Sequence, residues 1–179
     1  MLAPEEIAEL LKSTFGEAVR EVRMDSNHPW VLVAAEKWHE IAMFLRDDPR
    51  LYCNMLRCIS GVDRLADNEI EVIYDVMSMR PCSEQAEPWV GGNTIAIKVR
   101  VPRDGGHIPT VSDVWPAADW HEREVYDLLG VTFDNHPDHR RILCPDDWVG
   151  HPLRKDYEYP LEYHGIPAST EFGVKSPVH

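Results

Sequence analysis

Apolar residues recur at regular spacing from the start of this chain to Phe133, and then the pattern stops. The remainder, roughly a quarter of the 179 residues, is dense in Pro, Gly, His, Asp, Arg and Tyr. Structureless stretches longer than about 12–15 residues are uncommon inside a compact domain, and a segment with no apolar face cannot pack into its own sheet. Such a segment is either disordered or lies against something else. Disordered tails are poor in aromatics, whereas this stretch, counted from its first aromatic, holds Phe133, Trp148, Tyr157, Tyr159, Tyr163 and Phe172 among arginines, the enrichment found at interface hot spots. The reading is a body over residues 1–133 followed by an extended partner-wrapping arm over 134–179.

Within the body, Pro4 followed by Glu5 and Glu6 starts a helix whose Ile7, Leu10 and Leu11 recur at helical spacing until Gly16. Ala18–Met24 and Trp30–Ala35 read as strands across the turn-forming Asp25–Pro29, and Trp38, Ile41, Ala42 and Leu45 mark one face of a second helix. Met55–Val62 gives a weaker strand signal, interrupted by Gly61. The strict alternation of Ile70, Val72, Tyr74 and Val76, and again of Ile95, Ile97, Val99 and Val101, predicts two strands with one buried face each. If they pair antiparallel, Glu71 and Asp75 face Lys98 and Arg100. Arg80–Asn93 reads as a long exposed loop. Thr110–Trp115 and Ala117–Leu129 read as helical on either side of Pro116, with Gly130 as the stop. The elements compose an α+β fold, a mixed sheet of about four or five strands with helices on one side.

Lys and Arg number 18 against 31 Asp and Glu, so the chain carries −13 with His neutral, a field that repels phosphate backbones and anionic headgroups. Nucleic acid is a poor partner for it. Cys53, Cys58, Cys82 and Cys144 have no CxxC spacing and read as reduced, buried thiols. No apolar run approaches the ~20 residues of a spanning helix, and the N-terminus lacks the pattern of a secretion signal, so membrane contact is expected only through a partner.

Glu122 falls in the apolar stripe of the 117–129 helix, where a buried carboxylate needs a partner. Arg140 and Arg141 are the expected guanidinium donors, and Glu122→Gln is accordingly expected to destabilise the domain. Glu124 lies on another face. The crowd His136, Asp138, His139, Cys144, Asp146 and His151 matches no zinc or facial-triad spacing, and no phosphate-cradling glycine loop or nucleophile elbow occurs. The residues describe a binding or assembly module. A small metal-dependent enzyme built on the His136–His151 crowd stands as the alternative.

One run carries a family resemblance. Asp119–Phe133, with Glu122, Arg123, Glu124, Asp127, Leu128 and Leu129, continues through His136-Pro137-Asp138-His139-Arg140-Arg141-Ile142-Leu143 and resembles the signature of the C-type subunits of NADH-quinone oxidoreductase, respiratory complex I. Val111–Ala118 is similar to the family's lead-in and Gly150–Tyr157 to its closing motif. His121 stands where an aromatic is frequent, and Cys144–Trp148 is a local variant.

The resemblance implies a core subunit of the peripheral arm that binds no cofactor itself, with NADH, FMN, iron-sulfur clusters and quinone held elsewhere in the assembly. It implies an arm that binds the D-type, quinone-site subunit, neighbouring iron-sulfur subunits as further partners, and a place on the cytoplasmic side of the bacterial inner membrane. The equivalent subunit of a related membrane-bound hydrogenase or photosynthetic complex is a second possibility. Arg140, Arg141, Trp148, Arg154, Lys155 and Tyr157 are the expected interface anchors, alongside Asp138 and His151 of the motif.

Overall fold

In the computed structural model, which describes residues 2–79 and 92–167, helix α1 (Pro4–Phe15) begins as expected, with the Glu6 carboxylate accepting the Ala3 N–H at 2.7 Å. Strands β1 (Val19–Arg23) and β2 (Trp30–Val33) form a hairpin, followed by α2 (Trp38–Asp47), β3 (Met55–Arg64), β4 (Glu69–Met77) and β5 (Thr94–Pro102). These make one five-stranded sheet in the order β1-β2-β5-β4-β3, mixed because β2 and β5 run parallel while the other pairs are antiparallel. A short parallel pair, β6 (His107–Pro109) and β7 (Thr132–Asp134), brackets α3 (Ala118–Leu129). The hairpin β8 (Glu162–Tyr163) and β9 (Ile166–Pro167) follows.

The alternating apolar residues of β4 and β5 meet across the ladder, Val76 opposite Ile95 and Tyr74 opposite Ile97, and form one core with Ile7, Leu11, Trp38, Ile41 and Leu45 of the helices. Trp38 packs on Tyr74 with ring centroids 4.4 Å apart. The weak signal at Met55–Val62 belongs to the ten-residue strand β3, and Gly61 is the reason helix α3 can lie on it: a Cβ there would run into Leu129 Cδ1.

Four expectations are corrected. Thr110–Trp115 is a turn, with the Val114 and Trp115 N–H groups both bonded to Val111 O; Pro116 bars helix at Trp115, and six residues cannot sustain one alone. Glu71 does take both cations, Lys98 Nζ and Arg100 Nε each at 2.7 Å, but Asp75 faces Ala96 and pairs with Arg57 at 3.2 Å. Both carboxylates are buried, so β4 is covered on its outer face too, by the long cationic side chains lying over it. Of the cysteines, Cys53 is buried but Cys58 and Cys144 are half-buried; Cys82, Phe172 and most of the Arg80–Asn93 loop lie outside the described residues.

Candidate functional site

Helix α3 turns Glu122, Arg123 and Asp127 inward along with Ala118, Val125 and Leu129. Each buried charge meets different groups. Asp127 Oδ2 accepts the backbone N–H groups of Ile142, Leu143 and Cys144 at 3.1, 2.7 and 2.8 Å, while Oδ1 lies 2.6 Å from Arg141 Nη1. Burial opposes the charge, yet three amide donors and a guanidinium outweigh it and pull the carboxyl down to about 2. Arg123 works in the opposite sense: it donates to the carbonyls of Arg140 and Arg141, both at 3.2 Å, and lies 3.3 Å from Asp138. One helix thus holds the N–H and C=O groups of the same loop by two opposite charges.

The closing motif caps the helix. The last carbonyls of α3 have no partner within the helix. Here Gly130 N–H bonds to Tyr126 O, His151 Nδ1 and Arg141 meet Asp127 O, Leu153 N–H bonds to Leu128 O at 3.0 Å, and Arg154 Nε donates to Leu129 O at 2.8 Å. Gly130 sits at φ +83, and a Cβ on it would come within 2.6 Å of the His151 ring. Arg154 reaches on to Asp104 and to Arg103 O. Arg103 forks onto the Asp63 carboxylate at 2.9 and 3.0 Å and pairs with Asp156, and Lys155 N–H donates to Asp63 at 2.7 Å. Tyr157 OH donates to Val149 O. Residues 136–157 are therefore strapped to α3 and to the β3 and β5 ends.

Glu122 departs from expectation. Its carboxylate meets no guanidinium: the Val111 N–H donates to Oε1 at 2.9 Å, the Thr110 hydroxyl lies 2.5 Å from Oε2, and His136 Nε2 is 3.8 Å away. Arg141 is taken by Asp127, and exposed Arg140 pairs with Asp138 at 2.8 Å. Burial pushes Glu122 up to about 7, past the opposing Thr110 and Val111 hydrogen bonds, with Asp113 and Asp119 adding to the rise. Glu124 is exposed.

The histidines of the ligand crowd are spent on backbone. His136 accepts the Asp138 N–H at Nδ1 and contacts Asp119 O through Nε2, and His139 Nε2 accepts the Phe133 N–H. Among the described residues no three His, Cys, Asp or Glu side chains converge in a metal-holding group.

Sequence reasoning missed Asp63, Arg103, Asp104 and Asp156, whose partners lie 40 or more residues away and leave no local signal. It also missed the exposed apolar residues of the arm. Every described large apolar residue more than half exposed is either Trp120 of α3 or belongs to the segment after it: Leu143, Val149, Leu153, Tyr159, Leu161 and Ile166, with Val149 and Leu161 above 80 %. Trp148 packs on Tyr163 with centroids 5.3 Å apart.

Residues 31–163 match the family described as respiratory-chain NADH dehydrogenase, 30 Kd subunit. The chain belongs to that family. The C-type subunit of NADH-quinone oxidoreductase from Chlorobium phaeobacteroides is 42 % identical over 88 % of this chain and 90 % of its own length. Its counterpart from Chloroherpeton thalassium is 40 % identical over 91 % of this chain but 65 % of its own, so some relatives in the family are longer. Two solved structures share the fold: a chain of the membrane-bound sulfane sulfur reductase, an archaeal respiratory membrane complex (TM-score 0.65, 26 % identity, 86 % of this chain and 85 % of that chain), and a trypsin-resistant fragment, 1–134, of Nqo5 (TM-score 0.57, 27 % identity, 76 % and 99 %). No described helix is long and apolar enough to cross a membrane.

Proposed function

We propose that this chain is a core subunit of the peripheral arm of an ion-translocating NADH-quinone oxidoreductase, holding no redox cofactor and seating the D-type, quinone-site subunit. The observation that carries the reading is the concentration of exposed apolar residues on the arm. Exposed apolar side chains concentrated on one segment mark a protein contact, and Leu143, Val149 and Leu153 lie on residues 136–157, which Asp127, Arg141, Arg154 and Arg103 hold in place. Leu143, Val149, Leu153, Tyr159, Leu161 and Ile166, with Trp120 and Arg140, are the partner-facing residues. Arg123, Asp127, His136, Asp138, Arg141, His151, Arg154 and Tyr157 build the surface from behind.

The division into a body over 1–133 and an arm over 134–179 rests on the loss of apolar periodicity after Phe133. NADH, FMN, iron-sulfur clusters and quinone belong to the neighbouring subunits, and electron transfer and ion movement to the whole. The complex sits on the cytoplasmic face of a bacterial cell membrane, and this chain reaches the membrane through its partners.

The likeness to a sulfane sulfur reductase chain favours one second reading, the equivalent subunit of a related respiratory complex. Purifying the tagged full chain from its native membranes in mild detergent separates the two. Recovery of a quinone-site subunit with NADH-oxidising activity supports complex I. Recovery with a complex lacking that activity supports the relative, and recovery of the chain alone overturns both.

A further inference from the structure

The Glu122 carboxylate is wholly buried, yet hydroxyls link it to an open groove. Thr110 Oγ1 is 2.5 Å from Glu122 Oε2 and 2.9 Å from Ser112 Oγ, and buried Thr110 and half-buried Ser112 both line a groove of about 480 Å³ between α2 and the β6–β7 pair. We propose that Glu122 is a proton-exchanging site, loaded and emptied from this groove through the hydroxyls of Ser112 and Thr110.

The geometry permits both states without moving a heavy atom. With Glu122 ionised, Thr110 donates its hydroxyl proton to Oε2 and accepts the Ser112 N–H at 3.1 Å. Loading places a proton from a hydronium ion in the groove, which leaves as water, on Ser112 Oγ as the Ser112 proton passes to Thr110 Oγ1 and the Thr110 proton to Glu122 Oε2. Three O–H bonds break, three form, and nothing is oxidised or reduced. Afterwards the carboxyl O–H donates to Thr110, which donates to Ser112. The Val111 N–H bond to Oε1 serves in both states.

The surroundings leave the proton to this route. His136, the nearest basic group, accepts the Asp138 N–H at Nδ1 and turns Nε2 toward Asp119 O, 3.8 Å from Glu122. Asp119 and Asp113 are like charges, Tyr74 of β4 faces Glu122 from the core as a neutral phenol, and Arg123 is turned to the arm carbonyls. In the groove, His39 pairs with Asp113, and the lining Asp134 pairs with His107 of β6. The value near 7 for Glu122 puts both states within reach at neutral pH.

The test is pH-difference infrared spectroscopy of the full chain, with Glu122→Gln as the subtraction. A buried-carboxyl C=O band titrating about pH 7 and absent from the variant is expected. On transfer to heavy water the band should shift at once in the wild type, and on the order of ten-fold more slowly in Thr110→Val and Ser112→Ala, each of which removes one relay hydrogen bond. Ser112 sits on a half-buried turn, so its variant keeps the fold, and its titration midpoint should stay put while its exchange slows, which a packing role alone does not produce. Absence of the titrating band, or wild-type exchange in Ser112→Ala, overturns the proposal.

Discussion

Arg141 Nη1 and Asp127 Oδ1 lie 2.6 Å apart, and this pair joins the arm to the helix that precedes it. The other Asp127 oxygen already gathers three consecutive backbone N–H groups, so the carboxylate binds the loop as an anion-binding turn would bind a ligand.

Asp127→Asn removes that charge. The folded carboxyl is pulled from 3.8 to about 2, so its stabilisation is present above the unfolded value and is lost as pH falls toward about 2. At neutral pH the contribution is about 2 kcal/mol, which for a chain of this size lowers melting by roughly 4–8 °C. Calorimetry checks the midpoint. Limited proteolysis should show faster cleavage within 136–157, and an unchanged melting curve would remove Asp127 from the role given to it.

Glu122 acts with the opposite sign in a separate window. Its folded value is raised from 4.5 to about 7, so the native chain holds a proton that the unfolded chain has lost, and stability falls as pH rises through that interval, by roughly 3 kcal/mol in all. Gln keeps the shape, still accepts the Val111 N–H and can donate to Thr110. Glu122→Gln is therefore expected to melt higher than the wild type at pH 8 and to flatten the profile between pH 5 and 7, the reverse of what an arginine pair would give. Parallel pH-dependent melting curves decide it.

Local patterns carried most of the body. The alternation in β4 and β5 and the apolar faces of α1 and α2 are properties of neighbouring residues, and they placed the core correctly. What was not legible depends on pairs far apart in the chain. Asp63, Arg103 and Asp156 meet across 40 and 53 positions. Thr110–Trp115 has helical apolar spacing, but its Val111 N–H is committed to Glu122. The partner assigned to Glu122 was wrong for a geometric reason: Asp127, five residues on, lies about 140° further round the helix and faces the loop bearing Arg141, while Glu122 faces Thr110. The family signature named the charged residues of the arm, and only the folded chain separates those that hold it from those beside it that face outward.

Gly61→Ala should loosen the helix carrying this signature. The added Cβ collides with Leu129 Cδ1, and overpacking of this kind costs about 1–3 kcal/mol. Because the clash is with one side chain, Leu129→Ala combined with Gly61→Ala should lose less stability than the sum of the two single variants. A double-mutant cycle by chemical denaturation measures this, and strict additivity would mean that α3 does not press on β3 at Gly61.

The outward and inward residues of the arm predict different failures. Val149 and Leu161 are more than four-fifths exposed, so Val149→Asp and Leu161→Asp should leave melting of the chain within about 0.5 kcal/mol of the wild type. In the membrane complex the same substitutions place a charge in an apolar contact, and loss of a central anchor costs about 2 kcal/mol or more, weakening association by more than roughly ten-fold. Arg141→Ala should do the reverse first: it strands the buried Asp127 and lowers melting, and association suffers because the surface it supports has moved. Melting curves of the purified chains, set beside recovery of the complex from membranes, distinguish the two. If Arg141→Ala melts like the wild type yet fails to assemble, the guanidinium faces the partner; if Leu161→Asp assembles normally, the exposed apolar residues are not the contact.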